Sequence, residues 1–308
     1  MKIVFMGTPD FAVPCLRSLA ESPHEVAGVF TQPDKPKGRG YKMIPTPVKS
    51  TAMEYNIPVY QPLSLRKGED AEKSLEILKN ISPDLIVVTA YGQILPKEIL
   101  DLPVHKCINI HASLLPTYRG SAPINWCILN GEKITGVTSM LMAEGLDTGD
   151  MLIKKSTDIG ENETYQELYS RLAEMGSDVL MKTIEAIEKG TLSPEKQDDS
   201  LSSYSPMIRK EMSALDFSKG VHEIHNTIRG VTGFTMLGGK RLKIFKSEIV
   251  SGNSNAENGT IINAGDFTVK CGDGGMIKFC EIQLEGSKRM KTADFLRGKK
   301  LTTGEKLG

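Results

Sequence analysis

Over the first 110 positions the apolar residues arrive as short unbroken runs, at 3–6, 26–30 and 85–89, with a shorter one at 59–60 and a further strand candidate at 107–110. Runs of that length without polar alternation mark strands buried on both faces, as in a parallel sheet. The intervals between them carry helical periodicity, at 11–20, 48–55, 70–79 and 96–100. Thr46 followed by Pro47 gives the second of these a capping side chain and a first-turn proline. Strands alternating with helices predict a doubly wound, mostly parallel α/β domain.

After Trp126 the pattern changes. Segments 135–142 and 151–156 flank a Gly-bounded loop at 145–149 and read as an antiparallel pair added to the sheet. Positions 164–189 form a long helical stretch with Leu168, Leu172, Met175, Val179, Leu180, Ile184 and Ile187 on one face. Positions 190–206 are polar, punctuated by Ser, Asp and Pro, and read as a linker. A helix near 219–229 follows, then short strands near 241–245, 259–263, 267–271 and 276–281 separated by turn signals, the spacing of a small β-barrel. The expected division is a domain at 1–189, a linker at 190–206 and a second domain at 207–308.

Composition refines this picture at three points. No apolar run approaches the ~18 residues of a membrane span, and the N-terminal MKIVFMGTPDF lacks the features of a signal peptide. Five cysteines, Cys15, Cys107, Cys127, Cys271 and Cys280, include no CxxC pair, so neither disulfide scaffolding nor a zinc site is expected and a reducing cytoplasm fits. The net charge is zero but unevenly spread: positions 207–308 hold 17 Lys and Arg against 11 Asp and Glu, leaving an equal acidic excess on 1–206. A basic C-terminal third suits a polyanionic partner.

The chemistry gathers at Asn109 and His111, which follow an apolar run and so stand at a strand end. Side chains two apart on a strand share a face. An amide and an imidazole would then project together where open α/β sheets bind ligands. Asp147, inside the Gly145–Gly149 loop, could complete the set with an anion. A metal reading is poor, because nothing at ligand spacing accompanies His111. His222 and His225, three apart on a predicted helix, read as surface or interface residues. Gly7 opens a strand-to-helix turn but lacks the further glycines of the dinucleotide fingerprint, which argues against a nicotinamide or flavin. Segment 32–49 carries Lys35, Lys37, Arg39, Lys42 and Lys49 against Asp34 alone, with Gly38 and Gly40 freeing the backbone around Arg39. It emerges at the ligand-binding end of the sheet and suits a phosphate backbone. Tyr91, Gly92, Ile94 and Leu95 end another strand with a mix that could line a heterocycle's pocket or simply pack. Arg119 could cap a pocket or pair with a carboxylate.

These stretches resemble the methionyl-tRNA formyltransferase family nearly end to end: GTPDFA at 7–12, VFTQPDKPKGRG at 29–40, PTPVK at 45–49, AYGQILP at 90–96, NIHASLLPTYRGSAPI at 109–124 and GLDTGDM at 145–151. The resemblance implies a Rossmann-like N-terminal domain and a C-terminal barrel resembling an OB-fold. It implies 10-formyltetrahydrofolate as co-substrate, no metal, and initiator methionyl-tRNA as acceptor. It assigns Asn109, His111 and Asp147 to the active site, and Ser113, Leu114, Leu115 and Pro116 to a turn that contacts the folate. Segment 33–49, with Arg39, would enter the acceptor-stem region of the tRNA, and Arg209 and Lys210 would join it from the basic third. The expected molecule is a monomer. The rival readings are another formyl-folate enzyme acting on a small amine such as a sugar nucleotide, a hydrolase of formyl-folate, or a non-catalytic RNA-binding relative. One departure stands out: Arg229-Gly-Val-Thr232-Gly233-Phe234 replaces the Asn-Pro-Trp-Pro segment of many relatives, which touches tRNA contacts and not the transfer site.

Overall fold

The runs at 3–6 and 85–89 become adjacent strands at the centre of a sheet. The structure, a computed structural model, describes residues 1–37 and 42–308. Its strands up to residue 158 are β1 (Lys2–Gly7), β2 (Glu25–Phe30), β3 (Lys35–Lys37), β4 (Lys42–Ile44), β5 (Val59–Tyr60), β6 (Leu85–Thr89), β7 (Cys107–His111), β8 (Arg119–Gly120), β9 (Ile134–Leu141) and β10 (Met151–Asp158). The helices over the same span and just beyond it are α1 (Val13–Ala20), α2 (Pro47–Glu54), α3 (Glu69–Ile81), α4 (Lys97–Leu100), α5 (Pro123–Leu129) and α6 (Tyr165–Glu188). The remainder adds β11 (Tyr204–Ser205), α7 (Val221–Val231), β12 (Gly233–Leu237), β13 (Lys240–Val250), β14 (Ile261–Asn263), β15 (Thr268–Lys270), β16 (Met276–Leu284), β17 (Met290–Lys291) and α8 (Thr292–Gly298).

Contacts group the chain into two units. The first comprises Met1–Gly120, Gly136–Thr157 and Tyr169–Tyr204; the second comprises Ser121–Thr135, Asp158–Leu168 and Ser205–Gly308. Three segments group otherwise than the expected boundaries have them: 190–204 with the first unit, and 121–135 and 158–168 with the second. Segment 190–204 belongs to the first unit, because hydrogen bonds tie it there: Met151 and Glu195 exchange a reciprocal backbone pair at 2.8 Å. Helix α5 belongs to the second, packed on α7. Gly230 permits that approach, since a Cβ there would stand 3.2 Å from Ile128 and 3.3 Å from Leu129.

In the first unit seven strands run in the order β10-β9-β7-β6-β1-β2-β5. The pairs β1–β2, β1–β6, β2–β5 and β6–β7 are parallel, and β9 joins β7 antiparallel. Strand β6 and all but the first residue of β1 are buried, as continuous apolar runs require. Helix α2 starts as expected: the Thr46 side chain accepts from the Lys49 amide at 3.1 Å, a cap worth about 1 kcal/mol. The long α6 opens with a capping box, the Thr164 amide donating to Glu167 Oε2 at 3.0 Å. Its Leu172, Val179, Leu180 and Ile184 are buried. Segment 32–49 is not all loop, because β3 and β4 pair as a hairpin with Lys37 opposite Lys42.

The second unit holds an antiparallel sheet in the order β12-β13-β16-β15-β14, with β17 also on β16. The expected barrel is not closed. Strands β14 and β15 have three residues each, too short to carry the sheet round to β12. The chain's last residues and a preceding loop cover the two ends instead. The Ile261 amide donates to the Glu305 carbonyl at 2.8 Å on β14, and the Leu215 amide to the Phe234 carbonyl at 2.9 Å on β12. Ile224 and Ile228 from α7 share a core with Leu242, Ile244, Phe267, Ile277 and Phe279.

Candidate active site

In the first unit the strands grow outward in opposite directions from β1 and β6, so the order reverses between them. Such a switch point leaves a crevice at the carboxyl ends of the strands. Here the loops after β1 and β6 are joined, Thr8 Oγ1 donating to the Tyr91 carbonyl at 2.9 Å and Gln32 Nε2 to the same oxygen at 3.3 Å.

One strand further out, β7 delivers the expected pair. Asn109 sits between Val88 of β6 and Met140 of β9, and His111 sits opposite Thr138. Asp147 comes from the loop between β9 and β10. Asn109 Nδ2 lies 3.4 Å from Asp147 Oδ1, and His111 Nδ1 lies 3.6 Å from Asp147 Oδ2. The structure therefore brings all three sequence-predicted groups together. The His111 and Asp147 side chains are 7% and 10% exposed, so they meet in a site largely shielded from water.

The surrounding backbone fixes their roles. His111 Nε2 is 2.9 Å from the Tyr118 carbonyl. A carbonyl only accepts, so Nε2 carries a proton and Nδ1 is the nitrogen turned toward Asp147. The Gly120 amide donates to Asp147 Oδ2 at 2.8 Å. Asp147 itself has φ +52°, a left-handed conformation that Asp tolerates better than most residues. Gly149 is required where it stands, since a Cβ there would fall 1.8 Å from the Leu141 carbonyl oxygen.

The turn at 113–116 is also tied down. Ser113 Oγ donates to the Thr117 carbonyl at 2.6 Å. Thr138 Oγ1 donates to the Ser113 carbonyl at 2.7 Å and accepts from the Leu115 amide at 3.1 Å. Leu115 packs with Met140 and Met151, while Leu114 and Pro116 stay half-buried. Around the β6 end the expected lining divides. Tyr91 and Leu95 join an apolar cluster with Val4, Met6 and Phe30, so their side chains pack in the core. Ile94 is 58% exposed and Gly92 is open. Burial raises the Tyr91 phenol's pKa.

The basic segment is partly described. Lys35 is exposed. Arg39, with Gly38 and Gly40, lies outside the described residues, and for Lys37 and Lys42 the backbone pairing alone is described. Lys49 is engaged internally: its Nζ is 2.6 Å from Asp34 Oδ2 and 2.8 Å from Gln61 Oε1. The hydrogen bond from Lys49, and after it the one Gln61 Nε2 donates to Asp34 Oδ1 at 2.7 Å, hold the Asp34 carboxyl below the usual range. Lys49 thus braces the root of the hairpin and is not a spare cation. Arg209 and Lys210, in the second unit, are exposed.

His225 is buried in the second unit, Nε2 donating to the Glu161 carbonyl at 3.1 Å and Nδ1 meeting Ser247 Oγ at 2.8 Å. Burial pushes its pKa down. The departing segment at 229–234 ends α7 and starts β12, and its residues 229–232, with Asn125 and Tyr165, border a cavity of about 420 Å³. Among the described residues no group of three or more His, Cys, Asp or Glu could hold a metal ion, and no helix is long and apolar enough to cross a membrane.

Several participants were not found from sequence. The Tyr118 carbonyl, the Gly120 amide and Thr138 act through backbone or register, which no local motif displays. Gln197 is the clearest omission. It stands in the polar stretch read as a linker, yet its Nε2 donates to the carbonyls of Asp147 at 2.8 Å and Gly149 at 2.7 Å.

The chain matches the formyl transferase family model over residues 1–184 and the formyl transferase C-terminal domain model over 207–300. The methionyl-tRNA formyltransferase of Citrifermentans bemidjiense is 49% identical over 314 residues, covering 100% of this chain and 96% of that protein. That of Clostridium novyi is 51% identical over 304 residues, covering 97% of each. Among solved structures, the sugar 3N-formyl transferase WlaRD, in the presence of dTDP and 5-N-formyl-THF, superposes with a TM-score of 0.68 over 94% of this chain and 99% of that one, at 23% identity. That likeness bears on fold alone. With two family models spanning both units and relatives at about half identity end to end, the chain belongs to the methionyl-tRNA formyltransferase family.

Proposed function

We propose that this chain transfers the formyl group of 10-formyltetrahydrofolate to the α-amino group of methionine on initiator tRNA, for translation initiation. The observation that carries the mechanism is the meeting of Asn109, His111 and Asp147 at the end of β7, beside the sheet's switch point. The amine nitrogen attacks the formyl carbon, and a carbon–nitrogen bond forms as the carbonyl π pair moves to oxygen. The tetrahedral oxyanion then collapses, and the bond from carbon to the folate N10 breaks. The amine loses one proton and N10 gains one, so no net proton is consumed. An aminoacyl amine is nucleophilic near neutral pH, and the enzyme's task is positioning and oxyanion stabilisation.

Each side chain has a part in this. The Asn109 amide has two N–H groups; one is directed at Asp147 and the second serves the formyl oxygen. His111 works through Nδ1, because Nε2 is committed to the Tyr118 carbonyl. It gives a hydrogen bond to the oxyanion or carries the proton from amine to N10. Asp147 orients His111 and offers an acceptor for the amine proton. The folate lies against the backbone of Ser113–Pro116 and Gly92, with Leu114, Pro116 and Ile94 as its apolar contacts. The tRNA phosphates meet Lys35, Lys37, Arg39, Lys42, Arg209 and Lys210. The same reading places a monomer in a reducing cytoplasm, in keeping with five free cysteines.

The test supplies labelled formyl donor with methionylated initiator tRNA in one reaction and a sugar nucleotide bearing an amine in another. Label on the methionyl nitrogen is the expected result. Label on the small amine, or released formate without either acceptor, would replace this reading with one of its rivals.

A further inference from the structure

Asp147 has a left-handed backbone, and its loop opens beyond the hydrogen bond by which the Leu141 amide donates to the Asp150 carbonyl at 2.8 Å. The side chain that reaches the loop is Gln197. Its two amide hydrogens match the two carbonyls it meets, those of Asp147 and Gly149. Its oxygen is fixed in turn: Arg119 donates to Gln197 Oε1 through Nε at 2.9 Å and through Nη2 at 2.8 Å. Arg119 Nη2 also reaches Asp199 Oδ1 at 2.8 Å. The Arg119 side chain is 11% exposed, so this fork is shielded from competing water.

The far end of the chain of contacts returns to the same site. Arg119 lies between Tyr118, whose carbonyl receives His111 Nε2, and Gly120, whose amide holds Asp147 Oδ2. Ser203 grips that stretch as well, its Oγ accepting from the Tyr118 amide at 2.8 Å and its carbonyl from the Arg119 amide at 2.9 Å. Residues 195–203 thus bind both loops that set the separation of His111 and Asp147. A one-ångström error in such a separation is enough to cost ~10²-fold in rate.

We propose that Gln197, clamped by Arg119, is the positioning residue that holds Asp147 in register with His111 and Asn109. Gln197 touches neither co-substrate in this proposal; it acts through Asp147. The proposal rests on formyl transfer as the reaction, and every readout is a ratio to wild type, so an inactive wild type would count against that reading and not against the latch.

The variants are Gln197→Ala and Gln197→Glu. The second keeps the pairing with Arg119 and sets a carboxylate against the two carbonyls. Both are expected to fold, by circular dichroism and melting, and to lower kcat by roughly 10- to 100-fold. KM for the folate and for methionyl-tRNA should move by less than about threefold, since uniform binding is untouched. Should Gln197→Ala fail to fold, Gln197→Glu carries the test. The decisive reading is single-turnover transfer in an Asp147→Asn background. There Gln197→Ala should add less than about twofold, because residues acting as one unit are strongly non-additive. Full additivity in that background, or kcat within about twofold of wild type in both single variants, overturns the proposal.

Discussion

Asn109 and His111 were legible because a strand repeats every two residues, so two polar side chains after an apolar run must share a face. Asp147 was legible only as a carboxylate between glycines, and the family likeness assigned it to the site. Gln197 was not legible, since nothing in a polar, aperiodic stretch marks the glutamine that reaches two carbonyls some 50 positions away. His225 shows the reverse: its spacing from His222 predicts a surface or interface residue, whereas it is buried in the second unit, and it matters to stability. Burial holds its imidazole below the ordinary value of about 6.5. As pH falls through that value the unfolded chain takes up a proton that the folded one refuses, so stability present at neutral pH is lost on acidification. Thermal melts of wild type between pH 7 and pH 5 should therefore fall, and His225→Gln should fall less steeply. Parallel slopes would remove His225 from the account.

At the scale of elements, the parallel strands and α2 were readable from unbroken apolar runs and a Thr-Pro start. The β3–β4 hairpin is not legible because its strands have three residues each, too few to show a period, and β3 carries a proline. A closed barrel is not confirmed, for a related reason: turn spacing counts strands but does not say whether the end strands meet, and here other segments cover those ends. Two predictions belong to loops. Gly149→Ala places a methyl within 1.8 Å of the Leu141 carbonyl oxygen. It should destabilise the protein by about 1–3 kcal/mol and depress kcat together with melting temperature, measured side by side. An unchanged melting temperature and kcat would mean the loop has room that its geometry denies. Arg39→Ala should raise KM for methionyl-tRNA and reduce its salt slope by about one, with folate KM unchanged. Equal defects toward both substrates would make segment 33–49 a structural loop.

For the whole molecule, the charge asymmetry is the property that bears on the partner. The basic excess on 207–308 and the cations of segment 33–49 each suit a polyanionic partner. Raising salt from ~50 to ~200 mM should weaken methionyl-tRNA binding by orders of magnitude and barely change folate binding. A salt-insensitive tRNA KM would show that phosphates contribute little. The central claim is that an amide and an imidazole on one strand, with a carboxylate brought to them, perform formyl transfer. Its most direct test is single-turnover formylation of methionylated tRNA by wild type and by purified, folded Asn109→Ala at saturating 10-formyltetrahydrofolate. Loss of one oxyanion donor predicts a rate lower by roughly 10²–10³. A variant that transfers the formyl group at close to the wild-type rate would contradict the account.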